Sequence, residues 1–195
     1  DLAEFSAAFG KVYEHSPWIA ERAFAQRPFA SDTALLLALW GVVQTASAQE
    51  QLALLNAHPE LAGKEAQTGT LTQASTHEQS VAGLGALDAA QRADLSDLNR
   101  RYLERFGFPF IICARLNSRD AIFGSLRARL TNTREQELQN ALTQVGQIAR
   151  LIARQFAKAE NFFSGILLDN FAGAAIQHTL EIAGDADRPG QGSGA

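Results

Sequence analysis

Apolar residues recur along this chain at the three- and four-residue spacing of helices, and no run alternates at the two-residue period of a strand. A short first helix is expected over Leu2 to Phe9. Ser16-Pro17-Trp18 then reads as a helix start, with Ser16 as N-cap and Pro17 at the first helical position, running to about Gln26 and ended by Arg27-Pro28. Ser31-Asp32 caps the next helix, Thr33 to Ala46, whose apolar stripe is Leu35, Leu36, Leu39 and Val43. A further helix over about Ala48 to Ala57 stops at His58-Pro59, because the residue before a proline avoids the right-handed helical region.

Gly63 to Ala74 is polar and reads as a loop. Helix resumes at Ser75, pauses between Gly83 and Leu87, and continues from Asp88 to about Phe106, where Gly107-Phe108-Pro109-Phe110 breaks it. Arg119 to Leu130 and Thr133 to Lys158 follow as two more helices. A last one over Asn161 to Glu181 is diluted by Gly165 and Gly173, and Gly184 to Ala195 reads as a flexible tail. No internal repeat is visible. The expectation is an all-α, single-domain bundle of about seven to nine helices over residues 1–183, with its core at about 5–154.

Composition narrows the function classes. The 195 residues suffice for one domain with a real core. Seventeen basic and twenty-one acidic side chains give a net charge of −4 with no basic block, which removes the usual footprint of a nucleic-acid or acidic-membrane binder. The most apolar stretch, Phe162 to Ile176, is too short for a membrane span and is interrupted by Asp169 and Asn170. The first residues do not read as a signal peptide. Cys113 is the single cysteine, which points to a reducing compartment, and its place inside Phe108 to Ala114 suggests a buried, inert thiol.

Four polar residues stand at element boundaries, where side chains can converge on a pocket: His58, Ser75, Glu78 and Arg115. An imidazole titrates near neutrality and suits proton transfer, although His58 could equally cap the helix before it. Ser75-Thr76-His77-Glu78 has the form of a capping box with Ser75 as N-cap and Glu78 at the third position. The first turn of a helix also offers backbone N–H groups to an anion. Arg115 closes an apolar run, so it either reaches for water or pairs with a carboxylate or a substrate. His58, His77 and Glu78 lack any standard metal-ligand spacing, and no metal is expected.

Three segments resemble the motifs of the 2-oxo-4-hydroxy-4-carboxy-5-ureidoimidazoline (OHCU) decarboxylase family. His58-Pro59-Glu60-Leu61-Ala62-Gly63-Lys64 is similar to its HP(D/E)LAGK motif. Ser75-x-x-Glu78-Gln79-x-x-Ala82-Gly83-Leu84 is similar to SxxEQxxAGL, and Phe106 to Ile111 with Arg115 to FGFPFI followed by Arg. Glu14-His15-Ser16-Pro17-Trp18 also resembles the family's N-terminal stretch. The likeness extends over roughly Phe5 to Arg154, while the chain from about Gln155 onward matches no family segment and is too short for the second, hydrolase domain that some relatives carry.

The resemblance implies a cofactor-free decarboxylase that converts OHCU to (S)-allantoin in urate breakdown. It implies His58 as the principal catalytic group and Glu78 as its acid–base or orienting partner, with Pro59, Ser75, Gln79 and Arg115 holding the substrate. A homodimer fits the family. Ser193-Gly194-Ala195 is not a peroxisomal terminus, so a cytoplasmic enzyme of bacterial type is expected. The competing expectations are a helical ligand-binding or interaction module without catalysis, and a hydrolase of a related ureide.

Overall fold

Most helices begin where a short polar side chain accepts an otherwise unpaired backbone N–H of the first turn. In the computed structural model, which describes residues 1–63, 66 and 68–159 and side chains as far as residue 154, Asp1 caps α1 (Leu2–Phe9) and Ser31 caps α3 (Asp32–Thr45). Ser47 caps α4 (Ala48–Asn56), Asp88 caps α6 (Ala89–Phe106) and Ser118 caps α7 (Arg119–Arg129). Asp1, Ser47 and Asp88 form full capping boxes with Glu4, Glu50 and Gln91. Thr133 opens the long α8 (Arg134–Ala159) by the same exchange with Gln136. Two further helices, α2 (Trp18–Phe24) and α5 (Gln73–Val81), complete eight α-helices among the described residues.

The all-α expectation therefore holds: the described part of the chain has no strand. The expected helix over Asn161 to Glu181, the tail from Gly184 and the domain limit at residue 183 lie outside the described residues. Two helix starts differ from the sequence reading. No side chain caps α2, where Pro17 itself already has helical dihedrals (φ −61°, ψ −23°), so Ser16 is not its N-cap. The helix expected from Ser75 begins at Gln73, and Thr72 is its N-cap, its hydroxyl accepting from the Ser75 N–H at 3.2 Å. Glu78 cannot close a box with Ser75 because long-range partners draw its carboxylate inward, as described below.

The core is built around α8, which packs against α3, α4 and α6. Its buried face is Ala141, Leu142, Val145, Ala149, Ile152 and Ala153, a helical spacing. Gly146 lets α3 approach closely, since a Cβ there would lie 3.0 Å from a Trp40 ring carbon. Helix α6 ends at Gly107, in the left-handed region at φ 79°, and the chain then runs without helix through the interior as Phe108 to Cys113. Phe108 and Phe110 are at most 2% exposed, each contributing about 1.5–3 kcal/mol by burial.

A buried, non-helical backbone must find hydrogen-bond partners, and each group left unpaired costs about 1–3 kcal/mol, enough to cancel the burial of a phenylalanine. Side chains supply them. Arg129 Nη1 donates to the Ile111 carbonyl at 2.9 Å, the Cys113 N–H donates to Gln144 Oε1 at 2.8 Å, and Asn117 Nδ2 donates to the Cys113 carbonyl at 2.9 Å. Arg129 is itself fixed by Glu137, which is 0% exposed and also receives the Tyr102 hydroxyl at 2.5 Å and Asn132 Nδ2 at 2.8 Å. The Arg129 guanidinium lies over the Phe110 ring, 4.5 Å from its centroid.

Removing one member of such a buried pair strands the other. Glu137→Ala is expected to lower unfolding stability by about 3–5 kcal/mol. Urea unfolding should show this as a reduced midpoint, with faster amide exchange at Ile111 and Cys113. An unchanged midpoint would mean that the network carries no stability.

Candidate active site

Three chain segments converge on one cavity. The first is the turn after α1. There His15 takes φ 47°, an uncommon backbone for a residue other than glycine, and the side chains on either side of it, Glu14 and Ser16, are buried at 9% and 3% exposure. The second is the loop that leaves α4 at His58-Pro59, and the third is α5. The extended segment and α8 close the cavity with Phe110, Ile111, Ile112, Ile148 and Ile152. Its volume is about 40 Å³, several times the roughly 10–15 Å³ that one water centre needs.

His58 serves as both helix terminator and cavity wall. Its Nδ1 lies 2.9 Å from the Leu54 carbonyl. A carbonyl only accepts, so Nδ1 carries the proton and Nε2 presents its lone pair. Burial pushes the His58 pKa below its ordinary value, with the Leu54 carbonyl and the nearby Glu14 carboxylate opposing that shift in part. The ring is therefore neutral near pH 7, with a base nitrogen at the cavity. Of the two readings left open by the sequence, the cap is present at Nδ1, and a functional base would use the other ring nitrogen.

The loop beyond Pro59 is held from α5. Gln79 Oε1 accepts from the Ala62 N–H at 2.8 Å, and its Nε2 donates to the Glu60 carbonyl at 3.4 Å. Ala62 sits at φ 49°, a conformation that costs about 1–3 kcal/mol and persists only where surroundings impose it. Buried Asn99 adds a bond from Nδ2 to the Leu61 carbonyl at 3.0 Å.

Glu78 is buried and tied to the segment after Cys113. Its Oε2 accepts from Arg115 Nε at 2.6 Å, while Oε1 accepts from the Arg115 backbone N–H at 3.1 Å and from the Cys113 thiol at 3.4 Å. Arg115 and Glu78 side chains are 13% and 9% exposed, so the pair is well shielded from water. The Cys113 thiol is pushed up to about 12, first by burial and then by the Glu78 carboxylate, so it stays protonated and inert, as the sequence suggested.

His58, Pro59, Ser75, Glu78 and Gln79 all line the cavity. Arg115 stands behind Glu78 instead of on the cavity wall. His77 is absent from the lining, and among the described residues no three His, Cys, Asp or Glu side chains are arranged to hold a metal ion. The sequence reading gave no chemical role to Glu14 or Thr72, although both contribute: Thr72 donates its hydroxyl to Glu14 Oε1 at 2.8 Å, joining the first turn to the start of α5. The available signal was an acidic side chain directly after the apolar pair Val12-Tyr13, both of which are buried.

His58, Glu14, Glu78, Ser75 and Gln79 thus stand on a largely apolar wall within an all-helical fold, an arrangement with groups able to perform acid–base chemistry on a small polar molecule. The OHCU decarboxylase family model matches residues 1–153, and the chain belongs to that family of carboxy-lyases. The 2-oxo-4-hydroxy-4-carboxy-5-ureidoimidazoline decarboxylase of Haloferax volcanii is 42% identical over 158 residues, covering 80% of this chain and 92% of the relative. Its counterpart in Mus musculus is 41% identical over 151 residues, with 77% and 85% covered. Among solved structures, an (S)-allantoin synthase superimposes with a TM-score of 0.61 at 28% identity, over 80% of this chain and half (50%) of that one. An OHCU decarboxylase crystallised in the presence of (S)-allantoin shares the fold with a TM-score of 0.60 at 22% identity, with 80% and 95% covered.

The depressed His58 pKa has a consequence for stability. The unfolded chain takes up a proton at the ordinary value of roughly 6.5, whereas the folded protein resists it. Stability is thus full above that pH and declines as pH falls from there toward the lower folded value. The ring should titrate below about 6.5 by NMR, and His58→Gln should flatten the decline in urea midpoint. A midpoint above that value would refute burial as the dominant cause.

Proposed function

We propose that this chain decarboxylates 2-oxo-4-hydroxy-4-carboxy-5-ureidoimidazoline to (S)-allantoin. The carrying observation is that the residues of two separate family motifs, His58-Pro59 and Ser75, Glu78 and Gln79, meet at one cavity in a chain of this family. The substrate is named by the curated relatives, and the residues found here suit its chemistry.

One ring carbon of that substrate carries both the hydroxyl and the carboxylate, and the next carries the ureido arm. Breaking the bond to the carboxylate releases carbon dioxide and leaves an electron pair, which moves toward the neighbouring unsaturated carbon–nitrogen system of the ring. The ring nitrogen that receives the pair takes up a proton from solvent, the hydroxyl gives up its proton as its oxygen becomes a carbonyl, and the ureido-bearing carbon receives one. His58 Nε2 is the base for the hydroxyl proton, prepared by the Leu54 carbonyl that fixes the other nitrogen. Glu78, held by Arg115 and Cys113, orients the reacting centre or takes part in the proton delivery that sets the stereocentre.

Pro59, Ser75 and Gln79 shape the substrate's seat, Gln79 by fixing the loop after Pro59. Arg115 commits Nε and its backbone N–H to Glu78 from behind the cavity wall, so it helps to hold the substrate by placing that carboxylate. Binding the carboxylate too tightly would favour the ground state, so the benefit of Arg115 lies in positioning. The same reading includes a cytoplasmic enzyme that works as a homodimer, as the resemblance to the family implies.

Freshly generated substrate should yield optically active allantoin and carbon dioxide faster with the protein than without it. His58→Ala should lose at least about two orders of magnitude in rate. An undiminished rate in that variant would remove His58 from the mechanism. Release of ammonia or urea in place of carbon dioxide would identify a hydrolase. A chelator is expected to leave the rate unchanged.

A further inference from the structure

Most polar side-chain atoms at the cavity are already committed. Gln79 uses both ends of its amide on the loop backbone, and both oxygens of Glu78 face Arg115 or Cys113. His58 gives Nδ1 to the Leu54 carbonyl. The groups left are His58 Nε2, the Ser75 hydroxyl and one oxygen of Glu14. Glu14 lines the cavity with its side chain only 8% exposed, and its Oε1 takes the Thr72 hydroxyl. Exposed His15 approaches that same oxygen at 3.9 Å, and no described residue donates to Oε2.

We propose that Glu14 is a substrate-positioning residue that receives the N–H groups of the ureido arm, an assignment that rests on the decarboxylase reading of the same cavity. A ureido arm, –NH–CO–NH2, brings several N–H donors into a site whose walls are mostly apolar. A carboxylate is acceptor-only and matches them, whereas the two other uncommitted side-chain groups are a base nitrogen needed at the hydroxyl and a single serine oxygen. Charge gives the contact a direction. Glu14 attracts the N–H-rich arm and repels the substrate's carboxylate, so the departing group is turned away from the first turn of the chain. One residue thereby distinguishes the two ends of the substrate.

Glu14→Gln separates this role from a structural one. The glutamine keeps a carbonyl oxygen for the Thr72 hydroxyl but offers its NH2 where the arm needs an acceptor. The melting temperature should therefore hold, while KM rises about tenfold or more, the usual scale for a lost hydrogen bond to a charged group, and kcat changes less. Calorimetry should show allantoin binding weakened to a similar degree. Binding of hydantoin, which has the ring without the arm, should be unchanged, and Glu14→Asp should restore part of the allantoin affinity. Equal weakening of allantoin and hydantoin would reduce Glu14 to a structural role and overturn the assignment. An active wild-type protein with unchanged KM and allantoin affinity in Glu14→Gln would also overturn it and leave the decarboxylase reading intact. A wild-type protein that releases no carbon dioxide would overturn that reading itself.

Discussion

Backbone that crosses a helical core without being helical has no ladder to complete its hydrogen bonds, and Phe108 to Cys113 is such a stretch. Its Ile111 carbonyl and both backbone groups of Cys113 are met by Arg129, Gln144 and Asn117, two of them on different helices and the third just beyond the segment itself. Those side chains fix the register of the segment within the bundle, because a shift by one residue would strand several buried groups at once. Glu137 makes this possible by balancing the Arg129 charge where no water reaches. The site depends on the same constraint. Phe110, Ile111 and Ile112 form cavity wall, and Arg115, a few residues on, places Glu78.

The opposite side of the cavity is set by a second buried arrangement of the same kind. Helix α5 contributes Ser75 and Glu78 to the wall and, through Gln79, binds the backbone of the loop that carries His58 and Pro59. The strained Ala62 follows from this: an otherwise costly dihedral is held by a hydrogen bond that a relaxed loop would lose. His58 is then confined at both ends, by proline on one side and by the Leu54 carbonyl on the other, which fixes its tautomer as well as its position. Preorganisation of this sort would serve the proposed base, because a misplacement of about 1 Å can cost about a hundredfold in rate.

Helix content and the core stripes were legible from the sequence because they are local, and the cap at Ser31 came out as expected. The start of α5 was not. Ser75-x-x-Glu78 is the stronger capping pattern, yet Thr72 wins because Glu14 holds its hydroxyl from 58 residues away and Arg115 holds Glu78 from 37 away. No window of sequence contains those partners. The same separation explains the candidate site. The motif residues could be named from resemblance, whereas the division of labour among them depended on which of their atoms the fold had already used. The commitment of Gln79 to backbone and the buried place of Glu14 are facts of packing, invisible in spacing.

The balance of apolar and polar wall bears on the chemistry itself. An apolar surface solvates a carboxylate poorly and carbon dioxide well, so a cavity lined by Phe110, Ile148 and Ile152 favours the loss of charge from the leaving group. In the proposed reaction the charge that stays behind would move into the ring and onto the oxygen served by His58. A cation on the wall would bind the substrate more tightly and slow its reaction, since its attraction would fade as carbon dioxide formed. Arg115 would escape that penalty, because Glu78 already engages it and it stands behind that carboxylate, off the cavity wall.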